Sequence, residues 1–173
     1  MKKVDDINLL AVKDKQSITA DWMPYIDYID GVEIREVKNV AKESGYLTEM
    51  YRDDWNFVNK KISQIFQVAL FPGEISGWHT HFITTDRLFV NFGLIKIVLY
   101  DARPNSSTYG KINEFRLGTI RPGLVNVPPG IWHAVENLSD SVSLLINIVD
   151  FAYNYEEPDH YRLPLDTEHI PYN

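Results

Sequence analysis

From Gly31 onward the chain alternates apolar and polar residues in short bursts, and each burst ends at a glycine, proline or asparagine cluster. The stretch 31–37, GVEIREV, alternates over one strand length, and 46–51, YLTEMY, follows the turn-like Glu43-Ser44-Gly45. The run 63–71, SQIFQVALF, stops at Pro72-Gly73. Further strands are expected over 87–91, 94–100, 113–118, 124–127 and 131–136. They are punctuated by DARPNSSTYG at 101–110, Arg121-Pro122-Gly123 and Pro128-Pro129-Gly130. The longest apolar run, 141–151, predicts a strand covered on both faces. Many short strands with no clear helical period predict an all-β sandwich or barrel, and a jelly roll closes most of its edges.

The ends carry a weaker pattern. Residues 1–30 hold a short apolar stretch at 7–12 and an aromatic, acidic run at 17–30, where Pro24 disfavours a long helix. We expect an arm that packs on the domain or on a partner subunit, followed by a single domain over 31–173. The tail after Tyr153 is rich in Tyr, Pro and charge and has no period, so His160 and His169 read as solvated.

Composition then removes alternatives. A chain of 173 residues has length for one sizeable core. Its net charge of −7 argues against nucleic acid as a partner. With no cysteine there is no disulfide framework and no thiolate site. The opening MKKVDDINLLAVKDKQ lacks the apolar core of a signal peptide, and no apolar run is long enough to span a bilayer. A cytoplasmic protein is expected.

Candidate chemistry gathers in 71–93, FPGEISGWHTHFITTDRLFVNFG. On a strand, His79 and His81 share a face, with Trp78 on the other. Five residues separate Gly73 from His79, four separate His81 from Asp86, and six separate Asp86 from Gly93. A second segment runs Gly123, Pro128-Pro129-Gly130, His133, Asn137. Together these resemble the two motifs of the cupin superfamily, with Asp86 in place of the usual Glu and one residue fewer in the first gap of the second motif. The resemblance implies a cupin-type double-stranded β-helix, a jelly-roll barrel.

Further motifs narrow it. Asp101-Ala102-Arg103 followed by Ser106-Ser107-Thr108-Tyr109-Gly110 resembles a turn of the dTDP-4-dehydrorhamnose 3,5-epimerase family. Glu43-Ser44-Gly45-Tyr46-Leu47-Thr48-Glu49 and Ser76-Gly77-Trp78-His79 resemble two more of its segments, and the tail to Asp166 and Pro171 a fourth. Such enzymes epimerise a nucleotide-linked 4-keto-6-deoxyhexose in deoxysugar or surface polysaccharide biosynthesis, by removing a proton next to the ketone. That chemistry needs a base, a group to stabilise the enolate, and an acid on the opposite face. By resemblance His79 is the base and Asp166 its carboxylate partner; His81 is a second catalytic imidazole in the related sugar-nucleotide 3,4-ketoisomerases, which use both histidines. Arg87 would stabilise the enolate, Glu49 and Gln64 would contact nucleotide or sugar, and His133 would face the site. The resemblance also implies no cofactor, a nucleotide-sugar substrate and a homodimer. Ser44 and Ser76 stand where the family has phosphate-binding arginines. Ile146 stands near the position of its catalytic Tyr, leaving Tyr153, Tyr155 or Tyr161 as substitutes.

Other readings use the same atoms. Gly77-Trp78-His79-Thr80-His81 also resembles the sugar-nucleotide 3,4-ketoisomerases. His79, His81, Asp86 and His133 occupy the positions where metal-binding cupins hold a divalent transition metal, and mixed N/O ligation suits one. A non-catalytic sugar-binding cupin is the third alternative.

Overall fold

The computed structural model describes residues 11–55, 57 and 61–172; the first part of the expected arm, including most of the apolar stretch at 7–12, lies outside them. Twelve strands are present among the described residues. They are β1 (Glu33–Glu36), β2 (Asn39–Lys42), β3 (Gly45–Thr48), β4 (Gln64–Leu70), β5 (Ile75–Thr80) and β6 (Asp86–Phe92). After them come β7 (Leu94–Asp101), β8 (Ile112–Gly118), β9 (Gly123–Val127), β10 (Ile131–Asn137), β11 (Ser143–Val149) and β12 (Tyr161–Arg162).

Two antiparallel five-stranded sheets face one another, in the orders β1-β9-β6-β11-β4 and β12-β5-β10-β7-β8. This is the expected all-β jelly roll. Alternation along each strand builds the interior: Leu88 and Val90 of β6, Ile97 and Leu99 of β7, Phe115 and Leu117 of β8, and Val125 and Val127 of β9 form one buried cluster. Ile26 and Ile29 join it from the N-terminal segment, and the Ile29 N–H donates to Asn113 Oδ1 at 2.8 Å.

The outer faces are covered unequally. Behind β5 and β10, Trp78 and Ala134 pack under Leu163, Ile170 and Tyr172 of the tail. Behind β6, β9 and β11, Phe89, Leu124 and Ile148 pack under Trp55 and Phe57. So β11 is covered on both sides, as its continuous apolar run predicts. Gly93 joins β6 to β7 at φ 76°, and a Cβ there would lie 2.0 Å from Ser143 Oγ, so the turn needs glycine for both conformation and space.

Two strands escape the pattern reading. The pair β2–β3 forms a separate two-stranded sheet, and β2 is too polar and short to register as a strand. The other, β12, is two residues of the aperiodic tail laid along the edge of β5.

Candidate active site

At one end of the barrel the inward positions change from aliphatic to titratable. On β6 the inward series Val90, Leu88 ends at Asp86; on β10 Val135 is followed two residues back by His133. The β5–β10 register sets His79 directly opposite His133. His81 lies just past the end of β5, two residues from His79, and faces the same space. These side chains and the apolar wall of Val68, Leu88 and Leu145 enclose a cavity of about 590 Å³.

The tail completes it. In β12, Tyr161 pairs with Thr80 and Arg162 with His79. Paired residues on adjacent strands share a face, so Arg162 lies beside His79, and His160, two residues back, reaches His81. His160 thus lines the cavity rather than sitting in solvent, which corrects its reading as a solvated tail residue. The signal available was the His-Tyr-Arg alternation, but a two-residue strand is too short for a period to show. His169 is exposed.

The four imidazoles are neighbours in a closed ring. Ring centroids lie 4.8 Å apart for His79 and His160, 5.0 Å for His160 and His81, 5.5 Å for His81 and His133, and 5.7 Å for His133 and His79. His160 Nε2 is buried with no hydrogen-bond partner among the described residues.

Hydrogen bonds assign the tautomers. His81 Nδ1 meets the Asp159 carbonyl, and His133 Nδ1 meets the Ile131 carbonyl at 3.2 Å. A carbonyl only accepts, so each Nδ1 carries a hydrogen. Both Nε2 atoms then converge on one oxygen, Asp86 Oδ2, at 3.3 Å each. An ionised carboxylate can also only accept, so these contacts require a proton on Nε2 or a cation between the three atoms. Burial alone would raise the Asp86 carboxyl, but hydrogen bonds from His133 and His81 outweigh it and hold it well below the usual carboxylate range. Burial would likewise lower His81, yet the Asp86 hydrogen bond and charge raise it. Asn147 Nδ2 donates to the other Asp86 oxygen at 3.0 Å and orients the carboxylate.

His79 is the opposite case. Burial first, then the positive charges of His133 and Arg162, push it down to about 3. Its Nε2 accepts a hydrogen bond from Arg162 Nη1 at 2.7 Å. One face of the site is therefore a carboxylate-held imidazole pair, and the other a neutral imidazole.

Asp159 is a bracket. Its carboxylate accepts the backbone N–H groups of Phe82, Ile83 and Thr84, each at 2.9 Å, which fastens the loop after His81 to the tail.

The remaining predicted residues divide. Gln64 lines the cavity, and its Oε1 accepts the Tyr153 N–H at 2.8 Å. Arg87 is fully buried but alternates to the face opposite Asp86 and does not line the cavity. Asp166 is exposed on the far side of the sheet, against the Trp78 cluster, because the chain after β12 turns to cover that face. Among the described residues Asp166 makes no contact with His79, whose Nε2 meets Arg162 Nη1 instead. Glu49 lies outside the cavity and pairs with Arg52 at 3.1 Å. Leu145 and Asn147 face the cavity, whereas Ile146 points to the opposite side. Tyr153 and Tyr161 line the cavity; Tyr155 does not.

With this geometry in view, the relatives are informative. The family model described as dTDP-4-dehydrorhamnose 3,5-epimerase matches residues 27–169. The chain is 32% identical over 139 residues to the probable low-salt glycan biosynthesis epimerase Agl13 of Haloferax volcanii, covering 80% of this chain and 89% of that protein. It is 31% identical over 145 residues to the spore coat polysaccharide biosynthesis protein SpsL of Bacillus subtilis, covering 84% and 95%. The crystal structure of a dTDP sugar isomerase from Desulfovibrio desulfuricans G20 superposes with a TM-score of 0.78 at 26% identity, covering 84% of this chain and 91% of that one. The matched span, the jelly roll and the buried histidine cavity agree: the chain belongs to the dTDP-4-dehydrorhamnose 3,5-epimerase family of sugar-nucleotide isomerases.

Proposed function

We propose that this protein removes and returns a proton on carbon next to the ketone of a dTDP-4-keto-6-deoxyhexose. The observation that carries this reading is the pairing, in one buried cavity, of a neutral imidazole, His79, with an imidazole pair held on Asp86. A proton α to a ketone leaves only to a positioned base, and the enolate oxygen needs a positive donor in a dry site. His79 is the base. His81 and His133 share protons over Asp86, and either Nε2–H, turned from Asp86 to the substrate oxygen, would stabilise the enolate. Gln64 orients the sugar. The two relatives are named for glycan and spore coat polysaccharide biosynthesis, which supports a role in surface polysaccharide formation. The cytoplasm is the compartment this substrate requires, since a nucleotide diphosphate does not cross a bilayer unaided; no helix among the described residues is long and apolar enough to cross a membrane.

The test is deuterium wash-in from heavy water, using a dTDP-4-keto-6-deoxyglucose substrate. Label at both C3 and C5 supports 3,5-epimerisation, label at C4 with the ketone moved to C3 supports the 3,4-ketoisomerase, and no label in wild-type protein removes the proposal.

A second reading rests on one observation. His81 Nε2, His133 Nε2 and Asp86 Oδ2 lie within 4.8 Å of one another, and both Nδ1 atoms are locked on backbone carbonyls, so these three residues fit a divalent metal. A metal there would polarise the ketone oxygen as a Lewis acid. We expect wash-in to persist in chelator and untagged protein to hold no stoichiometric metal. Loss of wash-in in chelator, restored by one metal, would replace the proton-sharing account.

We also propose a homodimer. Val40 and Leu47 of the β2–β3 hairpin and Ile65 of edge strand β4 are apolar and about half exposed, which supports a covering partner. Glu49 follows that hairpin and would be carried with it toward a partner. Light scattering should give twice the chain mass; a monomer at micromolar concentration would rule this out.

A further inference from the structure

Arg162 is the one Lys or Arg that lines the cavity among the described residues, while three carboxylates, those of Asp86, Glu157 and Asp159, also line it. A nucleotide diphosphate in such a cavity is stabilised most by a cation that can pair with its phosphates. Arg162 can supply one: it lines the cavity and is exposed, on a two-residue edge strand. Its Nη1 pairs not with a carboxylate but with neutral His79.

That partnership has a chemical consequence. A guanidinium only donates, so the Arg162 Nη1 hydrogen occupies the His79 Nε2 lone pair. The lone pair that the base reading assigns to His79 is therefore capped. A guanidinium bonded to a neutral imidazole is also poorly matched, because it binds a phosphate with charge-assisted, bidentate geometry instead.

We infer that Arg162 is a substrate-operated latch: it caps His79 until it transfers to the diphosphate of an arriving nucleotide sugar, which frees the His79 lone pair. This deepens the nucleotide-sugar reading above and rests on it. Binding energy from the diphosphate, remote from the reacting carbon, is thereby expressed at the base. Arg162 is a positioning residue in this scheme, acting through His79.

Three probes test it: thymidine diphosphate, inorganic pyrophosphate and thymidine. Calorimetry should show Arg162→Met losing about 10- to 100-fold in thymidine diphosphate affinity, the scale of hydrogen bonds to a charged group, with thymidine affinity unchanged. Arg162→Lys should recover part of the loss. In protein with 15N-labelled histidine, adding thymidine diphosphate or pyrophosphate should move the wild-type His79 Nε2 resonance to the position of an unbonded acceptor; thymidine should not. Arg162→Met should show that position without ligand. Equal diphosphate affinity in wild type and Arg162→Met would overturn the latch while leaving the nucleotide reading intact, as would a His79 resonance that ligand does not move. If wild-type protein binds neither thymidine diphosphate nor pyrophosphate, the nucleotide reading fails and the latch with it.

Discussion

Replacing His79 with Asn is expected to reduce deuterium wash-in by about 100-fold or more, the lower end of what a general base contributes. Asn keeps an acceptor oxygen for Arg162 and roughly the shape of the ring, so the fold and thymidine diphosphate binding should survive. The variant therefore isolates proton transfer. The comparison variant is His160→Asn. His160 touches both His79 and His81 and has a buried, unpartnered Nε2. It is the other imidazole in the cavity not held on Asp86. Wash-in within tenfold of wild type in His79→Asn, together with its loss in His160→Asn, would transfer the base role to His160.

The second large effect concerns stability. The Asp101 carboxylate is fully buried at the end of β7 and accepts Arg103 Nε and Nη2, both at 2.9 Å, Ser106 Oγ at 2.5 Å and Thr108 Oγ1 at 2.6 Å. Arg103 Nη2 continues to the Asp30 carbonyl at 2.7 Å, and the Asp30 N–H donates to Thr108 Oγ1 at 2.9 Å. The turn motif is therefore a clamp that ties the N-terminal segment to the barrel. Asp101→Ala leaves these donors facing nothing, and breaking a buried pair from one side costs about 3–5 kcal/mol. At the lower figure Tm should fall by about 6–12 °C for a chain of this size. The control is Asp27→Ala, which removes an exposed pair with Lys111 worth at most about 1 kcal/mol. Equal Tm values for the two variants would refute the clamp.

The same carboxylate sets an acid limit. Burial would raise Asp101, but the bonds from Arg103, Ser106 and Thr108 outweigh it and hold it well below the usual range. The unfolded chain then binds a proton more readily than the folded one, so this stabilisation is complete above about pH 4 and lost as pH falls further. Stability curves of wild type and Asp101→Ala should converge toward acid pH.

How much of this was legible before the fold is seen differs by residue. Strand β4 and strands β6 to β11 announce themselves because each alternates or runs apolar between glycine and proline turns, and an all-β sandwich or barrel follows from their number; β5 is legible only through its histidine motif. His79, His81 and His133 are legible because their spacing is local: i and i+2 on one strand, and fixed distances from Gly73, Gly123 and Gly130. Spacing cannot say which covering segment lands on which face. Arg87 looks like a site residue in a linear reading, yet it sits one position from Asp86, and one position on a strand is the opposite side of a sheet. Asp166 is carried behind Trp78 by the tail, while His160 and Arg162, four to six residues earlier, are carried in front. Only the register of β12 on β5 decides that, through backbone hydrogen bonds that any side chain could accompany.

The sequence by itself determined that this chain is an all-β barrel carrying a histidine constellation with an acid nearby, because periodicity and motif spacing are properties of single strands and turns. The tertiary structure alone decided the partners. It converges two Nε2 atoms on one Asp86 oxygen and places Arg162, not a carboxylate, on His79. His133 and Asp86 are 47 positions apart in sequence, and Arg162 and His79 are 83 apart; the proton states follow from which acceptor faces which nitrogen, information that exists only once the sheets have closed.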